Sequence, residues 1–321
     1  MKRFAYGGQA LMEGVLMRGR DAIGVAVRGP DGQIFAGQEK LNSILHRNRF
    51  ARAPFFRGLV VLYETLVVGT RWLMRSGSVK AEGEGQEMGR GAIALTLLLT
   101  VGLAVGLFVL LPLFIAGLTT RATVGEDVLL EHIFEGVIRV LIFVGYLLVV
   151  SRSGEIQRVF RYHGAEHMTI HALEHGDPLD IEHVRLYPTA HQRCGTEFLV
   201  VFIILSIFLF SLLAGQNLYI AIFGRIALIP VIAAVAYEIL RFGARHRHQW
   251  WVRWLFLPGI WLQSITTRQP DDGMIEVAIA SMREALAANG EEAPEGSLDP
   301  ERRPIPTSAE ARERARDQLV Q

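Results

Sequence analysis

Cysteine is nearly absent. Cys194 is the single thiol among 321 residues, so no disulfide closes within the chain and a disulfide scaffold is excluded. Charge is also scarce, at 20% of residues, and the two signs almost cancel to a net +1. No global basic field exists to attract nucleic acid, and no nucleic-acid partner is expected. Met1-Lys2-Arg3 is followed by no apolar run, so a cleaved signal peptide is not expected either. What is abundant is apolar: half of the residues are hydrophobic and mean hydropathy is +0.28. This balance excludes an ordinary soluble enzyme and excludes disorder over most of the chain.

The apolar residues are gathered into runs long enough for a bilayer, for which about 18 suffice. Gly91 to Leu118 has no charge, Ile133 to Val150 carries only Glu135 and Arg139, and Phe198 to Leu213 and Leu218 to Leu240 are separated by Ala214 to Asn217. Glu135 and Arg139 lie four apart, where they can pair on one helix face. The expected fold is therefore mainly α: a polytopic helical membrane protein with about four transmembrane helices and a small cytoplasmic α+β portion. Orientation follows from Lys and Arg, which short cytoplasmic loops retain. Residues 1–90 carry 14 of them and Ser151 to Glu197 five, against one in Thr119 to His132 and none in Ala214 to Asn217. Both termini are thereby expected on the cytoplasmic side of a bacterial inner membrane, with lipid as partner and a homo-oligomer as a further option.

The division expected along the chain is as follows. Residues 1–90 hold a β-hairpin, Ile23 to Arg28 and Gln33 to Ala36 around Gly29-Pro-Asp-Gly32, and then an amphipathic or interfacial helix from Phe55 to Met74. In that helix Arg57, Glu64 and Arg71 recur every seven residues as one stripe. Residues 91–150 and 198–240 are the spans, 151–197 a cytoplasmic His-rich segment, and 241–288 a juxtamembrane aromatic and basic segment with an amphipathic helix. Residues 289–321, rich in Pro, Glu, Arg and Ser, are expected to be disordered.

Six of the ten histidines fall between Tyr162 and His191. On a helix, at 100° per residue, His163, His167 and Glu174 lie within about 40° of one another. Two imidazoles one turn apart with a carboxylate on the same face suit a divalent metal, and His163-Gly-Ala-Glu166-His167 fits H-x-x-E-H, in which two histidines bind zinc and the glutamate serves as general base. His171, His191 and Cys194 are further candidates, and a thiolate favours zinc. The same helix could equally be a solvated surface or a cluster that titrates with pH. Glu13, in Tyr6 to Gly14, reads as part of a turn or as an acid reaching the metal. Glu238 and Arg241 read as a pair at the end of the last span, or Glu238 as facing a cavity.

Five segments carry a resemblance: Gly7 to Gly19, Tyr162-His-Gly-Ala-Glu-His167, His191 to Thr196, Tyr237-Glu-Ile-Leu-Arg241 and Pro258-Gly-Ile-Trp-Leu-Gln263. In order, from about Tyr6 to Ala280, the chain resembles the YqhQ family of bacterial membrane proteins, with Gln192 where that family usually has proline. The resemblance implies a membrane location and a metal-dependent enzyme, and names no substrate. Two functions are therefore weighed. One is a cytoplasm-facing zinc-dependent hydrolase of a peptide or lipid-linked substrate, with Glu166 as base. The other is a non-catalytic oligomeric channel, transporter or scaffold whose histidines form a structural metal site or a pH sensor.

Overall fold

The structure, a computed structural model, describes residues 4–44, 48, 50–83, 90–123, 128–191, 194–213, 216–246 and 248–304. Gln192, parts of the expected loops at Thr119 to His132 and Ala214 to Asn217, and the tail from residue 305 onward lie outside these. The fold is mainly helical, with a small sheet.

Strands β1 (Gly7–Leu11), β2 (Gly14–Arg18), β3 (Ala22–Arg28) and β4 (Ile34–Lys40) form an antiparallel meander. The expected hairpin is β3 and β4. The glycine-rich segment before it, expected at most to turn, is itself two strands joined through Met12 and Glu13, with Glu13 at φ 53°. Gly7 and Gly8 hid it, because glycine is a poor strand former. Alternation sorts the side chains by face. Leu11, Leu16, Val25 and Val27 pack on Trp72 of helix α1 (Phe56–Gly83), while Val15, Met17, Ala26 and Ala36 face two helices on the other side.

Helix α1 covers the segment expected as an amphipathic or interfacial helix. Two members of its charged stripe turn inward, Arg57 toward Glu238 and Glu64 toward Arg18 and Ser43, from which it accepts, while Arg71 stays exposed and pairs with Glu39 at the surface. Phe56, Tyr63, Leu66 and Val67 are exposed as well.

The apolar part comprises α2 (Arg90–Val105), which continues through a π-helical turn at Gly106–Leu110 into α3 (Leu111–Thr123), then α4 (Val128–Val150), α7 (Gly195–Ser211), α8 (Leu218–Arg245) and α9 (Trp250–Thr266). Between α4 and α7 come α5 (Gly154–His175) and the short α6 (Ile181–Val184); α10 (Asp272–Ala288) follows α9. Two stretches are long and apolar enough to cross a membrane, Ala94–Leu118 and Tyr219–Arg245. Of the other two expected spans, α4 passes only together with α5, from which it is bent by 99°, and α7 is shorter, at 17 residues. Leu98, Leu99, Phe208 and Phe223 stand between 63% and 70% exposed, a surface that fits a membrane protein.

The expected boundaries do not delimit the body built around the sheet. It is built from three distant pieces, the sheet, α5 and α10, whose buried residues Tyr162, Met168, Ile275, Ile279 and Met282 share one core with Val15 and Met17. Nor does the chain lose order at Asn289. Asn289 donates to the Ala22 carbonyl, Leu298 N–H bonds to Leu179, and Arg302–Pro304 form β5, parallel to β4. Leu298 packs on the core, an apolar contact that the polar average of this segment conceals.

Candidate metal centre

Helix α5 begins beyond Ser153 and stops at Gly176, whose φ of 81° is the left-handed conformation that ends helices. Within it the four-residue spacing stacks His163 on His167, with ring centroids 4.4 Å apart. Each ring is oriented by a main-chain carbonyl. His163 Nδ1 lies 2.9 Å from the Thr266 oxygen and His167 Nδ1 lies 2.6 Å from that of Thr189. A carbonyl only accepts, so Nδ1 carries the proton in both rings and Nε2 keeps its lone pair. Orientation of this kind is typical of metal-ligating histidines.

Close approach makes it possible. A Cβ at Gly164 would lie 2.2 Å from the Arg268 carbonyl oxygen, so only glycine lets the end of α9 reach α5 and deliver Thr266 to His163. The third donor is Cys194, which caps the amino terminus of α7. Its Sγ is 3.2 Å from His163 Nε2, and one ligand atom from each of His163, His167 and Cys194 falls within 4.8 Å of the others. Two imidazoles and a sulfur, already convergent, are a donor set for a borderline-soft divalent ion. Burial pushes the His167 imidazole down to about 2, with His163 adding to the effect, so that His167 stays neutral as a ligand must. Burial raises the Cys194 thiol, and a bound cation would oppose that.

Glu166 sits beside this group. It is 4% exposed, and burial pushes its carboxyl up to about 8, opposed by His163 and by the Gly8 amide. Among the described residues Oε2 has no hydrogen-bond partner. A Cβ at Gly8 would come 2.8 Å from Glu166 Oε1 and 2.6 Å from the Leu16 carbonyl oxygen, so β1 touches α5 only through a residue without a side chain. A cavity of about 40 Å³ is lined by Tyr6, Gly7, Gly8, His163, Glu166 and His167, with His191 and Cys194.

Of the other candidates, His191 lines the same cavity and the rest lie elsewhere. Glu174 shares the angular face of His163 and His167, but seven residues separate it from His167, a rise of about 10 Å along a helix. It pairs instead with His191, 3.4 Å away. His191 borders the cavity, and its main chain is clamped in both directions by the buried Gln263 amide at 2.8 and 2.9 Å. His171 directs Nε2 to the Ala190 carbonyl and stacks on Tyr187. Glu13 does not reach His163, His167 or Cys194; it receives Arg158 at 2.6 Å and the Tyr162 hydroxyl at 3.3 Å, which ties the β1–β2 turn to α5. Glu238 takes Arg57 of α1 rather than forming a pair with Arg241 alone. Gln263, Thr189 and Thr266 were not singled out for the site from the sequence. Only Gln263 left a signal, as the last residue of a segment shared with the family.

Residues 53–288 match the family described as Protein of unknown function (DUF1385). Over 299 residues, 88% of this chain and 92% of the relative, the sequence is 33% identical to Uncharacterized protein YqhQ of Bacillus subtilis (strain 168). No solved structure matches the chain. A family match over most of the length, joined to a relative covered almost end to end, means that this chain belongs to the YqhQ family, DUF1385.

Proposed function

We propose that the protein is a zinc-dependent hydrolase of the bacterial inner membrane, with its site on the cytoplasmic side. The observation that carries the reading is a buried carboxylate, Glu166, with one oxygen unpartnered among the described residues, beside a ready donor set of His163, His167 and Cys194. A zinc ion held by that set would act as a Lewis acid on a carbonyl and on water. The chain's own residues do the rest. Glu166 takes a proton from the attacking water as its oxygen bonds to the carbonyl carbon, and passes the proton to the leaving nitrogen or oxygen as the bond to that atom breaks. The positive charge of an ion nearby favours the ionised carboxylate that this step needs. Thr266 and Thr189 hold both imidazoles in the ligating tautomer.

The membrane arrangement is part of the proposal. The stretches through α2–α3, α4, α7 and α8 cross the bilayer, α1 rests in the interface on Phe56, Tyr63 and Leu66, and both termini are cytoplasmic. Support comes from the exposed apolar side chains and from the Lys and Arg excess on one side.

Elemental analysis of full-length protein, purified in mild detergent with zinc supplied, is expected to give one ion per chain. Protein that stays metal-free under those conditions overturns the reading. Glu166→Gln is expected to keep the ion and lower hydrolysis by about 10²–10⁴-fold, the usual weight of a general base. Unchanged turnover of a cleaved substrate would leave only a structural metal site, as a scaffold would have.

A further inference from the structure

The cavity is too small for a substrate. At about 40 Å³ it has room for an ion and a water or two, whereas pockets that enclose a small organic ligand measure roughly 300–1,000 Å³. The body of the substrate must therefore lie along a wall of the site, outside the cavity. Of the residues that line it, Gly7 and Gly8 belong to β1, and among the described residues β1 is the end strand of the sheet, paired only with β2.

That edge is open where it meets the site. Gly8 is exposed, and a Cβ added at Gly7 would meet nothing within 4 Å. Antiparallel pairing decides which main-chain groups look outward. Leu11 faces Gly14 across the two-residue turn, so Gly7, Gln9 and Leu11 exchange hydrogen bonds with β2, and Gly8 and Ala10 turn theirs away from it. The same outward series includes the Gly8 amide, which serves Glu166, and the Met12 amide, which donates to Ser76 Oγ at 3.2 Å. Between them the Gly8 carbonyl and both groups of Ala10 form a short row of strand-pairing positions running away from Glu166.

We infer that the substrate is an extended peptide segment that adds to the β1 edge as a further strand, with its scissile carbonyl over the cavity. The inference rests on the hydrolase reading above and names its substrate class. An edge strand recognises main chain rather than side chains, and glycines at positions 7 and 8 leave the approach clear. A lipid-linked acyl substrate offers no amide row to pair with this edge. The peptide bond supplies the carbonyl that water attacks and the nitrogen that leaves with the proton carried by Glu166.

The test uses full-length, zinc-loaded protein in detergent and four hydroxamates, whose chelating group reports on the ion: acetohydroxamate, a blocked tri-alanine hydroxamate, the same compound methylated on its peptide nitrogens, and octanohydroxamate. Two or three main-chain hydrogen bonds correspond to about 10–100-fold in affinity. The tri-alanine compound is expected to bind at least tenfold more tightly than its methylated form and than octanohydroxamate. Ala10→Pro, which removes an outward amide at an edge position where proline is tolerated, is expected to cost the tri-alanine compound about five- to tenfold and to leave acetohydroxamate unchanged, while Ala10→Val keeps the preference. Equal binding of methylated and unmethylated peptide, or tighter binding of octanohydroxamate, overturns the strand proposal while the metal centre stands. Failure of every probe, acetohydroxamate included, overturns the metal centre and the strand proposal with it.

Discussion

Replacement of His167 by alanine is expected to weaken zinc binding by a factor of about 100 or more, measured by competition with a chromophoric chelator. Structural zinc sites in small peptides are worth about 10–16 kcal/mol, so one ligand of three or four carries about 3 kcal/mol or more, and a tenfold change needs only about 1.4. His163→Ala and Cys194→Ala are expected to follow it, because the three ligand atoms converge within 4.8 Å. His171→Ala is the control. It sits one turn beyond His167 but commits Nε2 to the Ala190 carbonyl, so its loss is expected to change affinity less than about threefold. Equal losses at His167 and His171 would mean that the histidine helix binds metal diffusely, and the centre described above would be wrong.

The second large effect lies in the apolar helices. Glu135 of α4 accepts from Arg139 on its own helix and, at 2.7 Å, from Arg225 of α8. The three side chains are 2%, 4% and 1% exposed. Arg139 also donates to the Phe108 carbonyl at 3.2 Å, within the π-helical turn, where the widened ladder turns a carbonyl outward. Phe210 of α7 lies under both guanidinium groups, 4.8 and 5.7 Å from its ring centre. One carboxylate thus ties α4, α8 and the α2–α3 stretch together. Glu135→Ala leaves two buried cations facing each other and is expected to destabilise the fold by about 3–5 kcal/mol, read as a lower unfolding midpoint in detergent. Substituting all three by leucine or methionine is expected to recover most of that loss, since buried ion clusters are often no better than apolar packing. A Glu135→Ala midpoint within error of the wild type would show that the cluster does not hold the bundle.

Legibility in the sequence followed distance along the chain. The Glu135–Arg139 pair and the His163–His167 pair are both four residues apart, and helix geometry alone puts such residues side by side. Arg225 is 90 residues from Glu135, and no local pattern announces it. The separation of Glu174 from His167 has the same root: a helical wheel reports angle and discards rise, and the rise carries Glu174 further along the helix, to His191. Helix α1 shows the opposite hazard. Its charged stripe does not stay in solvent throughout: Arg57 and Glu64 find partners inside the protein while Arg71 pairs with Glu39 at the surface, because this helix lies between the sheet and α8.

From the sequence alone follow the apolar segments, the pairing of His163 with His167 and the adjacency of Glu166, because each depends on spacing within one helix or on composition. Only the tertiary structure brought Cys194 to His163 and His167 and Glu174 to His191, set the Thr266 and Thr189 carbonyls against the two imidazoles, and placed Gly8 of β1 against Glu166. The contacts of His163, Glu166 and His167 join α5 to the segment that leads into α7, to α9 and to β1 across stretches of 22 to 158 residues. Periodicity fixes which face of a helix is apolar, but the partner that covers that face is chosen by packing.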